Sequence, residues 1–149
     1  MSSPISIDRD RGYERALEAA RIKRDRALTM VGDFSVESGF RAVDSLLARG
    51  KTFTAVFCSN DEMAIGAVQA LKSKGRQVPD DVSVVGFDDI RFARYFDPPL
   101  TTVEQPKGEL GREAMSMLIE ILSGEDVPAR KRVLSTQLVV RGSTARCKT

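Results

Sequence analysis

Two polar side chains sit where an α/β sheet presents its ligands, Asn60 and Asp88. Each lies at or just beyond a short apolar run, residues 54–58 and 82–85, that reads as a β-strand. Between them Met63, Ala64, Ala67, Val68 and Leu71 recur at helical spacing. Two strands joined by a helix run parallel, and parallel sheets bind ligands at the carboxyl ends of their strands. An amide that donates and accepts, beside a carboxylate that accepts, suits a small polar ligand. Each residue has a second reading, since Asn60 can cap the following helix and Asp88 the following turn. Asp61, Glu62, Asp88 and Asp89 raise the question of paired catalytic carboxylates. Asp61 and Glu62 are adjacent, however, and neighbours on a helix do not face each other. The chain has no histidine, which removes the commonest general base and metal ligand. Cys58 and Cys147 form no CxxC pair, and no phosphate loop or nucleophile elbow is present. The expectation is a binding protein: no enzyme, no catalytic residues, no metal and no cofactor.

The elements that must hold these groups follow from periodicity. Residues 1–8 are polar. Residues 9–22 read as a helix whose stripe is Tyr13, Ala16, Leu17 and Ala20. The basic run RIKRDR, residues 21–26, suits a solvated helix end better than nucleic acid, since no aromatics interleave with it. Residues 28–31 read as a strand closed by Gly32. Ser35 caps a helix that runs through Phe40, Val43, Leu46 and Leu47 to Gly50. Gly75 ends the helix that Asn60 or Asp61 opens. Phe92, Tyr95 and Phe96 cluster in a chain only 6% aromatic, as a short helix or turn on the core or as a subunit interface. Residues 100–103 form a further strand. Leu110, Ala114, Met117, Leu118 and Ile121 stripe a helix over 110–122, and 133–140 forms a last strand before the polar tail RGSTARCKT. This alternation predicts an α/β fold of three layers with a mostly parallel sheet. One oddity is the opening helix, which no strand precedes. Either residues 3–7 supply a strand stub or the chain is a portion of something longer.

At 149 residues and 42% hydrophobic, the chain suffices for one domain. A formal net charge of +2 is too small to argue for nucleic acid. No stretch approaches the roughly 20 apolar residues of a membrane helix, and the opening lacks a signal peptide's apolar region. The expected location is cytoplasmic, with no membrane partner and no disulfide framework.

The motifs NDEMAIGAVQALKSKGRQVPDDVSVVGFDD, ARYFDPPLTTVEQPKGELGREA and LVVRGST together resemble the effector-binding region of lactose-repressor-type (LacI/GalR) bacterial transcriptional regulators. The likeness runs from Arg9 to Ser143 and is strongest to the family's cytidine- and purine-responsive repressors. It implies a periplasmic-binding-protein-like fold of two subdomains with the ligand between them. It also explains the missing strand, since the chain corresponds to the carboxyl-terminal portion of such a regulator. Residues 9–105 and 133–149 would then be mostly second subdomain, with the helix in 107–124 belonging to the first. The DNA-reading head would lie outside the chain, so operator DNA is a partner only through that head. Residue by residue, the resemblance places Arg9, Phe34, Asn60 and Asp88 at effector-contacting positions. Arg9 would donate to the effector, and Asp88 would accept from it. Asn60 falls on a sugar-contacting position, and Phe34 where a ring stacks on the ligand. Arg9 as an ion-pair partner and Phe34 as a core residue remain open beside these roles. The implied effector is a sugar, nucleoside or purine-like metabolite. The implied assembly is a homodimer or higher oligomer, with Met63, Val68, Leu71, Phe92, Tyr95 and Phe96 as interface candidates. The competing binding role is a periplasmic-type sugar-binding protein of a transport system.

Overall fold

The computed structural model describes residues 4–124 and 131–146. Its sheet has four strands in the order β1-β2-β3-β4: Ala55–Phe57, Ser83–Asp88, Thr101–Glu104 and Gln137–Val139. The first three run parallel, with Ala55 beside Ser83 and Val85 beside Thr101. β4 is antiparallel, with Val103 beside Leu138. Among the described residues four α-helices accompany the sheet: α1 (Pro4–Ala19), α2 (Val36–Ala48), α3 (Asp61–Ser73) and α4 (Lys107–Leu122).

Local signals set most of the boundaries. The Ser35 hydroxyl accepts from the Ser38 N–H at 3.1 Å and opens α2. The Asn60 amide oxygen accepts from the Met63 N–H at 3.0 Å and opens α3. Gly50 and Gly75, at φ 66° and 72°, turn the chain away after α2 and α3.

α3 packs on the face of the sheet that carries Val84 and Gly86, and α2 packs behind α3. The two helices touch backbone to backbone at Gly39 and Gly66. A Cβ on these residues would lie 2.1 Å from the Met63 carbonyl oxygen and 1.9 Å from that of Val36. Val43, Ala64, Ala67, Val68, Leu71, Val84 and Leu100 fill the core between these layers. On the opposite face Tyr13 of α1 stacks on Phe57, with ring centroids 6.4 Å apart. The result is the expected three-layer α/β arrangement.

Several expectations are corrected. Residues 4–7 are the first turn of α1 rather than a strand stub, and α1 ends at Ala19, short of 22. Proline's fixed φ suits the first helical turn, and the polar opening offers no strand partner. Residues 28–31 form no strand. A 3-10 turn spans Arg26–Leu28, and Val31 is 94% exposed with no ladder partner among the described residues. The basic run is not a free patch either, because Arg24 turns back onto α1 and pairs with Asp10 at 2.7 Å. The last strand is shorter than expected. The tail also does not hang free: Ser143 is fully buried, accepts from the Thr101 N–H and donates to the Val84 carbonyl at 2.6 Å. Cys147 lies outside the described residues.

The interface candidates divide. Met63, Val68 and Leu71 are buried in the core, because α2 covers the side of α3 that the sheet does not. They cannot form a surface. Phe96 packs half-buried on that core, while Phe92 and Tyr95 remain exposed. α4 stands apart: Leu110, Met115, Leu118, Ile119, Ile121 and Leu122 are all exposed.

Candidate functional site

The three parallel strands deliver their carboxyl ends to one edge. After β1 come Ser59 and Asn60, β2 ends in Asp88, and β3 runs into Gln105. α1 lies across this edge and lowers Arg9 onto it. Arg9 Nη2 stands 3.3 Å from Asp88 Oδ1, and Arg9 Nη1 donates to the Ser59 carbonyl. The guanidinium carbon lies 3.8 Å from the centroid of the Phe87 ring, a stacked arrangement that holds the charge flat. Gln105 Nε2 donates to the same Asp88 Oδ1 at 2.5 Å. Lys107 Nζ donates to the Asp88 carbonyl and, at 3.1 Å, to that of Asp89. One edge thus holds a fixed guanidinium, a carboxylate and a carboxamide.

Asn60 and Phe34 form a second pair. The Asn60 amide nitrogen donates to the Phe34 carbonyl at 2.8 Å while its oxygen caps α3. Both ends of the amide are therefore engaged. Phe34 is half-buried at φ 69°. The two pairs meet through Ser59, whose carbonyl takes Arg9 and whose chain neighbour is Asn60.

Beside Arg9 opens a cavity of about 670 Å³, lined by Asp8, Arg9, Gly12, Tyr13, Ala16, Phe57, Phe87 and Gln105. Its wall is mostly apolar and aromatic, with the Arg9 and Gln105 polar groups at one end, the usual make-up of a small-molecule site. Of the four expected site residues only Arg9 lines it; Asp88 borders it through Arg9 and Gln105, and Phe34 and Asn60 do not line it.

The remaining titratable groups work on the structure. Asp61 is fully buried, and that burial pushes its carboxyl pKa up, with Asp88 and Asp89 adding to the shift. Burial pushes the Cys58 thiol up to about 12, which leaves it inert as a nucleophile. Asp89 pairs with Arg141 at 2.7 Å. Among the described residues no cluster of three or more His, Cys, Asp or Glu could hold a metal, and no helix is long and apolar enough to cross a membrane.

Sequence reasoning assigned no site role to Gln105, Lys107, Phe87 or Phe57, and it placed Tyr13 only in a helix stripe. Gln105 follows β3 as Asn60 follows β1, so strand position could have found it. Phe57 and Phe87 share a face only because of the β1–β2 register, which no single strand reveals.

The periplasmic binding protein-like domain family matches residues 2–144. The HTH-type transcriptional repressor CytR of Escherichia coli (strain K12) is 42% identical over 141 residues, covering 95% of this chain and 41% of CytR. A sugar-binding transcriptional regulator of the LacI family from Escherichia coli, solved in complex with phosphate, superposes with a TM-score of 0.87. It is 42% identical over 96% of this chain and 51% of that one. The lac repressor dimer bound to operator and the anti-inducer ONPF superposes with a TM-score of 0.84 at 32% identity, covering 93% of this chain and 47% of that one. The chain spans about two fifths of the length of the curated relatives it matches.

Proposed function

We propose, given that this chain belongs to the lactose-repressor-type family of bacterial transcriptional regulators, that it is the effector-sensing and dimerising part of a transcriptional repressor. The effector is a neutral polyhydroxyl metabolite, a sugar or nucleoside. Arg9 donates to its hydroxyls and the Asp88 carboxylate accepts from them, while Gln105 can do either. Phe87, Phe57 and Tyr13 line the cavity and give its apolar side a wall. Asn60 and Phe34 form a separate pair that adjoins the cluster through Ser59.

The observation that carries this reading is the Arg9–Asp88–Gln105 cluster at the shared carboxyl ends of three parallel strands. The Arg9–Asp88 pair is partly exposed, at 12% and 25% side-chain accessibility. Pairs of that kind contribute only about 0–1 kcal/mol, so an effector can enter between or beside the partners at small cost.

Two further features support the regulator's assembly. The exposed apolar side of α4 is what a helix shared with the amino-terminal subdomain would present. Phe92 and Tyr95 give an aromatic surface of the kind subunit contacts favour. Operator DNA is then bound by another part of the protein and released or gripped according to effector occupancy.

Calorimetric titration of the whole protein with D-ribose, D-glucose, cellobiose and cytidine tests the reading. Binding of at least one member, abolished or strongly weakened by Arg9→Ala, is expected. A protein that binds none of the four, or binds one equally well without the Arg9 guanidinium, would contradict it.

A further inference from the structure

The turn that carries Asp88 holds two consecutive residues at positive φ, Asp88 at 109° and Asp89 at 46°. Neither is glycine, so surrounding contacts must hold the backbone there. Behind the turn, the Ile90 N–H donates to Asp61 Oδ2 at 2.8 Å, and the Asp89 N–H reaches Thr102 Oγ1 at 3.4 Å. The Thr102 hydroxyl donates in turn to Asp61 Oδ1 at 2.5 Å. The sheet makes room for this carboxylate: a Cβ on Gly86 would lie 2.1 Å from Asp61 Oδ1.

Burying a carboxylate at this depth is unfavourable, and an apolar side chain would fill the space without that cost. An apolar side chain could not accept from Ile90 and Thr102. The contacts therefore give Asp61 a task that its burial alone does not explain. We infer that Asp61 is a positioning residue for the effector site: with Thr102 it fixes the 88–90 turn so that the Asp88 carboxylate faces Arg9. The inference rests on the reading of that site given above. Asp61 touches no effector itself and acts through the turn.

The experiment compares Thr102→Val, Thr102→Ser and Asp61→Asn with the wild-type protein. Amide hydrogen exchange reads Ile90 and Asp89 with no ligand present. Calorimetry reads affinity for D-ribose, D-glucose, cellobiose and cytidine. Thr102→Val keeps the branched shape and loses the hydroxyl. It should speed exchange at both amides about tenfold or more and weaken whichever probe binds the wild type by about tenfold. Thr102→Ser restores the hydroxyl and should stay within about twofold on both readouts. Val43→Ala, a core truncation in α2, should lower stability yet leave probe affinity within about twofold, which separates positioning from general loss of stability. Asp61→Asn keeps the shape and should move the same two amides. The inference is overturned if Thr102→Val and Asp61→Asn leave exchange and affinity unchanged. It is equally overturned if Thr102→Ser loses as much as Thr102→Val. If no probe binds the wild type, the reading of the site fails separately, and the exchange rates alone decide the role of Asp61.

Discussion

Replacing the Asp88 carboxylate by an amide separates effector binding from stability. Asp88→Asn is the informative change, because Asn tolerates positive φ better than most residues and Asp88 sits at 109°. An alanine there would mix lost chemistry with backbone strain. In the ligand-free protein the Arg9–Asp88 pair is long, at 3.3 Å, and partly open to water. Its loss should therefore cost about 1 kcal/mol or less. Arg9 keeps the Ser59 carbonyl and the Phe87 ring, and the amide oxygen can still accept from Gln105. With an effector in place the balance differs. Its hydroxyls lose a charged acceptor in a site screened from water, which costs about 1.5–3 kcal/mol. That is about ten- to a hundredfold in affinity. Calorimetry with the sugar and nucleoside panel reads the affinity, and urea unfolding of the same preparations reads the stability. Equal affinity in the two proteins would refute the role of Asp88. So would an affinity loss that merely tracks an equal loss of stability.

Gly66→Ala would put a methyl 1.9 Å from the Val36 oxygen and 2.7 Å from the Phe40 nitrogen, both backbone atoms that cannot rotate aside. Urea unfolding should show a loss of about 2–3 kcal/mol or more despite alanine's better helix propensity, and an unchanged midpoint would refute the close crossing of α2 and α3. Asp33 is pushed down to about 2, first by the Ser35 hydroxyl and then by the Ser35 N–H and the Ser38 hydroxyl. Its stabilising effect is present above the ordinary 3.8 and lost as pH falls through about 2. The stability gap between wild type and Asp33→Ala should accordingly close on acidification, and a gap that widens would reverse the assignment. Phe92→Ser with Tyr95→Ser should weaken self-association in sedimentation, since both rings are exposed; an unaltered oligomer would place the interface elsewhere.

What could be read from the sequence was local. Ser35, Asn60, Gly50 and Gly75 act within about one helical turn of themselves, and each does in the structure what its type suggested. What failed depended on partners. Residues 28–31 have strand-like composition but no neighbouring strand among the described residues, and composition cannot supply one. Ser143 looked like polar tail, yet its hydroxyl bridges Val84 and Thr101 across two strands. Met63, Val68 and Leu71 marked one helix face correctly, but α2 rather than a second subunit covers it.

The candidate site divides along the same line. Asp88 was visible because it ends a strand, while what aims it was not. Its turn runs through two left-handed residues, each of which costs roughly 1–3 kcal/mol unless held. It is clamped from both sides. Gln105 and Lys107 grip it from the crossing that leads into α4, and Asp61 and Thr102 grip it from beneath. These four residues lie 13 to 29 positions away from the groups they bind. No motif window of a few residues contains both a clamp and its target. Gln105 and Lys107 stand at the head of α4, so the outer clamp comes from the helix whose apolar side lies open.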